Sequence, residues 1–472
     1  MEPLSLAETL SRHDPAREAV VHGQERLTFG QLHKRARHLA GWLVERGVAR
    51  DDLVAFALPN GPDFIALTFA IYMAGATPAP LSPRTARAER DAILETMRPA
   101  LFAEAADIAA ALATDQPSLP GAPVIAASWK ACTSGGSTGR PKVIVDGRPA
   151  AFAPDTGFIA IPRDGRVLVP GPLYHNAPFS AAVFGLWSGS TVVTMDRFDA
   201  GAALGLIERE AIEWALMVPT MMHRIMALPP AERDAFDLSR WQTVVHTAAP
   251  MARWLKHAWI DWRGPDHIWE VYGATEGLVR CWIGGREWLA RPGSVGRALG
   301  DARIRILRAD GSEAATGETG EIFAMPATGP GSTYRYIGAN RRTGPDGWES
   351  VGDMGHVDEQ GYLFLADRKD DLIISGGINI WPAEVEAAIL RHPAVRSCAV
   401  FGVPHEDLGA AVHAVVETDE NLSLSGLTGF LSAHLTRAKH PRSIECTSAP
   451  VRDDAGKFRK PRTLARSFHD AS

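Results

Sequence analysis

The feature that most constrains the fold is a regular alternation of short apolar runs and helical segments along the first three-quarters of the chain. Helical periodicity covers residues 27–47, with Thr28 as the predicted N-cap, and an apolar helix is predicted from Asp63 to about Ala74. Buried strands are predicted at residues 53–58, 167–169, 191–193, 214–218 and 243–245. Strands that are apolar throughout and alternate with helices indicate parallel sheets covered on both faces.

The pattern changes twice in the last third of the chain. After Arg291, alternating segments at 303–307 and 320–323 predict antiparallel strands. From Pro382 onward, a small α+β unit is predicted from a helix at 384–391, strands at 397–403 and 412–417, and a helix at 427–435. We therefore expect an α/β fold: a large N-terminal domain (residues 1–369) of mainly parallel sheets flanked by helices, with a small β-barrel-like subdomain, followed by a small mobile α+β C-terminal domain (residues 370–472).

Composition excludes several classes of protein. The net charge of −6 gives no reason to expect binding to nucleic acid or to an anionic membrane. The apolar stretch at 64–81 is interrupted by Gly75, Pro78 and Pro80, so no membrane insertion is expected. The four cysteines have no metal-binding or redox spacing, and the N-terminus has no signal-peptide pattern, so we expect a cytoplasmic protein.

Residues 133–142 combine glycines, hydroxyls and a lysine directly after an apolar run. Such a loop can bring backbone N–H groups, hydroxyl donors and one cation around phosphate oxygens. It does not match the P-loop, because Arg140 and Pro141 separate Gly139 from Lys142. The dinucleotide-binding glycine pattern is also missing. The alternative is a flexible surface turn. The candidate phosphate ligands are Thr133, Ser134, Gly135, Gly136, Ser137, Thr138, Gly139 and Lys142.

Charged residues in three later segments suit the same chemistry. Glu276 follows an apolar segment, and Mg²⁺ near phosphates prefers one or two carboxylates; the alternative is a solvated glutamate. Asp353 and Arg368 could bind the two hydroxyls of a ribose, or form an ordinary surface ion pair. Lys457 stands on a glycine turn, where a lysine can deliver charge to a transition state, although most surface lysines do not.

Taken together and in order, these segments resemble the adenylate-forming superfamily of acyl- and aryl-CoA ligases, luciferases and peptide-synthetase adenylation domains. The resemblance covers nearly the whole chain, and eight motifs occur in family order. They are residues 133–142, 172–176, 247–250, 272–276, 352–353, 367–371, 375–379 and 456–457.

The resemblance implies a role for each matching position. Ala248, Ala249, Pro250, Tyr272 and Gly273 would form the adenine slot, Thr275 would contact the α-phosphate, and Glu276 would bind Mg²⁺. Asp353 and Arg368 would bind ribose, His175 would gate the acyl pocket, and Lys457 would stabilise the adenylation transition state. Asp370 would be the hinge between domains, and Gly376 and Gly377 would leave room for the pantetheine arm of CoA. The implied substrates and cofactor are a carboxylic acid, ATP, CoA and Mg²⁺.

The chain also favours one branch of this superfamily. Residues 174–179 contain no carboxylate to pair with a substrate ammonium group, so an amino acid substrate is disfavoured. The acyl pocket is expected to be mostly apolar, which suits a hydrophobic monocarboxylic acid with room for a bulky one. Core packing is the alternative for each lining side chain, and a structural histidine is the alternative for His246. The expected lining residues are Asn176, Phe179, Ala182, Phe184, His246, Ala274 and Trp282.

The main hypothesis is an AMP-forming acyl-CoA ligase. One alternative is an acyl-AMP ligase that loads a separate carrier protein, and another is a non-catalytic adenylate-binding protein. Gly135 and Val143 depart from the family pattern, which suggests an enzyme that works mainly in the thioester-forming half from supplied acyl-adenylate. Family habit suggests a homodimer.

Overall fold

The protein is described here from a computed structural model that covers residues 2–115, 124–134, 142–420, 422–453 and 456–458. The predicted first helix is confirmed: Thr28 accepts a hydrogen bond from the Gln31 N–H, and the Gln31 side chain accepts one from the Thr28 N–H. This reciprocal capping box fixes where the helix begins. The helices are α1 (Phe29–Glu45), α2 (Pro62–Met73), α3 (Arg87–Met97), α4 (Ala105–Leu112), α5 (Asn176–Trp187), α6 (Ala200–Arg209), α7 (Pro219–Met226), α8 (Pro230–Arg233), α9 (Arg253–Arg263), α10 (Gly285–Ala290), α11 (Pro382–Ile389) and α12 (Leu424–Leu431).

The strands fall in the regions that the apolar runs predict, with additional short strands between them. The first half of the chain contains β1 (Leu4–Ser5), β2 (Glu18–His22), β3 (Glu25–Thr28), β4 (Leu53–Ala57), β5 (Thr77–Pro80), β6 (Leu101–Glu104), β7 (Ala131–Ser134), β8 (Lys142–Asp146), β9 (Ala151–Phe152), β10 (Arg166–Val169), β11 (Thr191–Thr194), β12 (Trp214–Met217) and β13 (Thr243–His246). The second half contains β14 (Ile268–Gly273), β15 (Arg280–Gly284), β16 (Ser294–Ala298), β17 (Arg303–Leu307), β18 (Gly320–Met325), β19 (Tyr334–Ile337), β20 (Arg342–Thr343), β21 (Glu349–Ser350), β22 (Asp353–Val357), β23 (Leu363–Arg368), β24 (Ile373–Ser375), β25 (Ile378–Ile380), β26 (Ser397–His405), β27 (Gly409–Glu417) and β28 (Ser443–Thr447).

A parallel sheet forms the centre of the large domain, in the order β2, β11, β10, β12, β13, β14. Its side chains alternate between two cores: Val167 and Val169 face the core that includes α1, α2 and α5, while Leu168 faces the core that includes α6, α7 and α9. A second parallel sheet contains β4, β5 and β6. The α/β class with helices on both faces is confirmed.

Strand β14 has different partners on its two edges. It is parallel to β13 on one side and antiparallel to β15 on the other. From β15 the hydrogen bonding continues through β16, β23, β22 and β18, all antiparallel. The antiparallel strands predicted after Arg291 therefore extend the edge of the parallel sheet at the place where β14 ends.

The small C-terminal unit has the predicted α+β content and a core of its own. Helix α11 begins earlier than predicted because Pro382 suits the first turn of a helix, where no N–H is needed. Helix α12 also begins earlier, because the Ser423 hydroxyl accepts a hydrogen bond from the Gly426 N–H and caps it. The periodic apolar residues predict that both helices exist, and the caps decide where they start.

Helix α11 is held at both ends by side chains that precede the small domain in the chain. At its start, the Ala383 N–H donates to the Asp367 carboxylate (3.0 Å). At its end, the indole N–H of Trp254 donates to the Ala387 carbonyl oxygen (3.1 Å), and His223 Nε2 lies 3.1 Å from the Leu390 carbonyl oxygen. These contacts dock the small domain on α7 and α9. Among the described residues, no helix is both long and apolar enough to cross a membrane.

Candidate active site

The ends of β13 and β14 create the cleft in which most of the predicted residues meet. The Thr247 hydroxyl donates to the Val271 carbonyl oxygen (2.8 Å), which ties the segment after β13 to β14. Ala248, in the predicted adenine slot, has φ +78°, a conformation that costs a residue with a side chain about 1–2 kcal/mol. Residues held in such conformations cluster at functional sites.

Tyr272, Asp353 and Arg368 are in contact, although they are far apart in the sequence. The Tyr272 hydroxyl donates to one Asp353 carboxylate oxygen (2.7 Å), and Arg368 Nε lies 3.4 Å from the other. Asp353 and Arg368 face each other across the β22–β23 ladder, which explains their pairing. Burial, together with the charge of Asp353, raises the pKa of Tyr272 well above its usual value, so the phenol stays a donor. The structure thus brings the predicted ribose and adenine residues together.

Glu276 lies at the centre of a second cluster. Its Oε1 accepts hydrogen bonds from the Tyr336 hydroxyl (2.6 Å) and from Lys142 Nζ (3.3 Å), and Lys142 Nζ also lies 3.1 Å from the Tyr336 oxygen. Burial, and then the charge of Glu276, raises the pKa of Tyr336. Tyr336 was not predicted from the sequence. It reaches the site because β19 pairs with β8, the strand that begins with Lys142.

The Glu276 carboxylate suits a magnesium ion that is carried on a nucleotide. The residue is 5% exposed, and its second oxygen has no hydrogen bond to any described residue. Within the described parts of the chain, no group of three metal-ligating side chains exists. One carboxylate oxygen is enough for Mg²⁺, because phosphate oxygens and water supply the other ligands.

The turn that carries Lys457 lies against the large domain. His175 Nε2 is 4.0 Å from an Asp453 carboxylate oxygen, and the Lys457 N–H donates to the other oxygen (2.9 Å). A side chain at Gly456 would come within 3.3 Å of the Thr220 hydroxyl, so glycine permits this close approach. Burial raises the pKa of the Cys132 thiol, and both Lys457 and Glu276 are close enough to change it further. The turn that carries Lys457 therefore lies beside His175 at the start of α5.

The predicted hinge and CoA-binding residues lie on the small-domain side. Asp370 is in a single 3₁₀ turn between β23 and β24. Gly376 and Gly377 have φ +55° and +80° and form the exposed turn between β24 and β25. The Gly376 N–H donates to the Leu408 carbonyl oxygen, a contact within the small domain. Their roles remain predictions.

Aromatic side chains surround the start of α5, where the acyl pocket is predicted. Phe179 and Phe184 pack against Trp129, with ring centroids 6.0 and 5.6 Å apart, and both are buried in the core, as is Ala182. Trp282 on β15 is 39% exposed. Asn176 is the first residue of α5, and Ala274 lies beyond the end of β14.

His246 faces away from α5. It shares a face of β13 with Val244, which packs in the core beside α9, whereas Val245 faces the core beside α5. Its Nε2 is 3.7 Å from Glu270, which is paired with the buried Lys256 of α9. Burial, and then the charge of Lys256, lowers the pKa of His246 well below normal. Neither ring nitrogen of the buried His246 has a hydrogen-bond partner among the described residues.

The predicted phosphate loop is described only at its two ends. Gly135, Gly136, Ser137, Thr138 and Gly139 lie outside the described residues, as does the side chain of Ser134. Val143 is fully buried in the core of the small sheets, opposite Thr133 in the β7–β8 ladder. Its side chain therefore contributes to packing.

Comparison with known proteins agrees with the geometry. The sequence model of the family "AMP-binding enzyme" matches residues 7–132 and 131–331, and that of the "AMP-binding enzyme C-terminal domain" matches residues 384–457. A feruloyl-CoA synthase of Amycolatopsis sp is 33% identical over 479 residues, covering 95% of this chain and 96% of the relative. An indoleacetate–CoA ligase of Aromatoleum aromaticum is 29% identical, covering 97% of each chain.

A similar fold occurs among solved structures. The o-succinylbenzoate CoA synthetase of Bacillus subtilis, solved with its acyl-adenylate intermediate, superposes with a TM-score of 0.80. It is 22% identical, and the match covers 100% of this chain and 99% of that one.

Proposed function

This chain belongs to the AMP-binding enzyme family and is an AMP-forming acyl-CoA ligase, and on that premise we propose that it joins a hydrophobic, bulky monocarboxylic acid to CoA. ATP and Mg²⁺ activate the acid as acyl-AMP in the first step. The CoA thiol accepts the acyl group in the second. The relatives named above include enzymes named for ferulate and for indoleacetate, so aryl acids are the first substrates to test.

The observation that carries the proposal is the pair of clusters that meet at the end of β14 and in the segment after it. Tyr272 and Asp353 form a site for a nucleoside, and Lys142 and Glu276 form a site for its phosphates. The turn that carries Lys457 contacts the large domain beside His175. This set of donors and charges suits ATP poised for attack by a carboxylate.

In the first half-reaction, a carboxylate oxygen bonds to the α-phosphorus of ATP while the bond to pyrophosphate breaks. Negative charge accumulates on the phosphoryl oxygens and on the leaving pyrophosphate, so positioning and electrostatic stabilisation lower the barrier. Lys142 and Lys457 supply positive charge, and Asp353 holds the ribose. Glu276 would hold Mg²⁺, which would supply charge that neutralises the phosphates.

In the second half-reaction, the thiolate of CoA bonds to the acyl carbon and AMP leaves. The Lys457 turn lies beside His175 at the mouth of the acyl pocket, so it must withdraw before the thiol can enter. Turning the small domain about Asp370 would remove Lys457 and bring in Gly376 and Gly377. The same turn would break the hydrogen bond that Trp254 donates to the Ala387 carbonyl oxygen and the one that Asp367 accepts from the Ala383 N–H.

A panel of aryl and alkyl acids tests this function. Each acid is incubated with enzyme, ATP, Mg²⁺ and CoA, and both AMP and the acyl-CoA thioester are measured. We expect thioester formation with at least one bulky hydrophobic acid, without any carrier protein. AMP release that depends on an added carrier protein would instead support the carrier-loading alternative.

A burst experiment tests whether the departure at Gly135 weakens adenylation. Enzyme, acid and ATP are mixed without CoA, and pyrophosphate is followed. Because the Val143 side chain packs in the core, we do not expect it to weaken phosphate binding. We therefore expect a fast burst of about one pyrophosphate per enzyme. A slow burst with rapid use of supplied acyl-AMP would favour an enzyme that works mainly in the second half-reaction.

A further inference from the structure

A buried amine lies beside the first turn of α5 and has no role in the chemistry above. Lys130 is 4% exposed, and its Nζ lies 4.2 Å from the centroid of the Trp129 ring. The amine donates to the Asn176 side-chain oxygen and to the Ser180 hydroxyl (3.3 Å), and it lies 3.9 Å from Asp146. Burial lowers the pKa of Lys130, which reflects the cost of holding a charge there. Such a residue needs a reason to be at this position.

The amine fixes the orientation of the Asn176 amide. A lysine ammonium has only donors, so the atom of Asn176 that faces Nζ must be the oxygen. The two N–H donors of the amide are therefore turned away from Lys130. They have no hydrogen bond to any described residue, although Asn176 is half-buried.

Asn176 also lies next to the proposed gate of the acyl pocket. Asn176 directly follows His175, the N-cap residue of α5, whose Nε2 is 4.0 Å from Asp453 in the Lys457 turn. The rings of Trp129 and Phe179 pack together beside Lys130 and form an apolar cluster there. An oriented pair of N–H donors at the edge of an apolar wall is the arrangement that gives a small-molecule pocket its specificity.

Resting on the proposed function, we propose that Asn176 determines specificity for acids that carry a hydrogen-bond-accepting oxygen on the acyl group, such as an ether, hydroxyl or keto oxygen, and that Lys130 is the positioning residue for its amide. The carboxylate of the acid reacts at the nucleotide, and the additional oxygen accepts from Asn176 Nδ2. An acid that lacks this oxygen leaves the two donors dry and unpaired, which is the penalty that makes polar pockets selective.

Pairs of acids that differ only in an ether oxygen and a methylene test this assignment. Methoxyphenylpropanoates and the matching ethylphenylpropanoates, substituted at each ring position, are compared by kcat/KM for CoA-thioester formation. We expect wild-type enzyme to prefer the ether by about tenfold or more for at least one ring position. Asn176→Asp keeps an oxygen facing Lys130 but has no N–H groups, so it should abolish that preference. Lys130→Met frees the amide to rotate and should reduce it.

The ratio of the two kcat/KM values is internal to each enzyme, so general damage to folding or activity cancels. Lys439→Met, at a lysine of the small domain paired with Glu384, is the matched control and should leave the ratio unchanged. If Lys130→Met does not fold, Asn176→Asp decides. Thioester formation with equal use of both acids at every ring position would overturn this assignment while preserving the ligase. Absence of AMP and thioester with every acid would overturn the ligase itself.

Discussion

The Tyr272 hydroxyl donates a 2.7 Å hydrogen bond to Asp353, which joins the end of β14 to β22 across the nucleotide cleft. The bond holds the carboxylate in place before any ribose arrives. The second Asp353 oxygen lies 3.4 Å from Arg368 Nε, and in the proposed function it is this oxygen that is left to accept from ribose hydroxyls.

Tyr272→Phe should therefore raise the KM for ATP by about fivefold and leave kcat nearly unchanged. The lost hydrogen bond goes to a charged carboxylate, and we expect about 1 kcal/mol of its effect to act through ATP binding, because the phenyl ring can still stack. Steady-state kinetics at varied ATP measure this effect. Tyr362→Phe removes a comparable hydrogen bond to Glu287 away from the cleft and serves as the control. An unchanged KM for ATP would contradict a role for Tyr272 in nucleotide binding.

Lys457→Ala should slow adenylation by about 10²–10³-fold, since removing one preorganised donor to a developing charge has an effect of that size. Thioester formation from supplied acyl-AMP should fall far less, because Lys457 has left the site in that step. Pyrophosphate release and acyl-CoA formation are measured separately. Lys439→Ala provides an exposed lysine in the same domain as control. Equal loss in both half-reactions would remove the assigned role.

Trp254→Phe should weaken the docked arrangement of the small domain. The ring remains, but the 3.1 Å hydrogen bond to the Ala387 carbonyl oxygen is lost, which corresponds to about 1 kcal/mol. We expect adenylation to slow by severalfold and thioester formation from acyl-AMP to be unchanged or faster. Trp262→Phe, which loses a bond to Asp234 elsewhere on α9, is the matched control. Equal slowing of both half-reactions would contradict this interpretation.

Glu386 makes the stability of the small domain depend on pH. Burial raises the pKa of Glu386 to about 7, despite the Arg452 guanidinium 2.7 Å away and the hydrogen bond from the Val400 N–H, and repulsion by Asp367 and Asp371 adds to the rise. A raised carboxyl pKa means that the folded state binds the proton more tightly than the unfolded state. This contribution to stability is therefore present at low pH and is lost as pH rises toward 7.

Glu386→Gln should gain stability relative to wild type as pH rises. The difference in unfolding free energy between the two should grow by up to about 3 kcal/mol between pH 5 and pH 8. Urea unfolding at both pH values measures it. Glu384→Gln, at an exposed glutamate on the same helix, is the control. A difference that stays constant with pH would show that Glu386 has an ordinary pKa.

Local signals predicted much of this architecture. Short stretches of sequence are enough to predict the Thr28 cap, the buried strands and the order of the charged motifs, because each depends on neighbours along the chain. Tyr336 reaches Glu276 only through the pairing of β19 with β8, strands separated by most of the large domain. No short window contains that information.

For a strand that is buried on both faces, it is also hard to predict which side chains point to which face. His246 follows two valines on a strand that is apolar on both sides, so no alternation of polar and apolar residues shows which way it points. Lys130 is a similar case, since its partners Asn176 and Ser180 lie on a helix far along the chain.

The two-sided pairing of β14 has a consequence for how activity is lost. Tyr272 lies on β14 and Glu276 follows it. This strand joins the parallel part of the large domain to its antiparallel part. If either part unfolds locally on warming, β14 loses its partners on one edge while the other part stays folded. We therefore expect nucleotide affinity to fall several degrees below the main calorimetric unfolding transition. Bound AMP should reduce the temperature difference between the loss of affinity and unfolding.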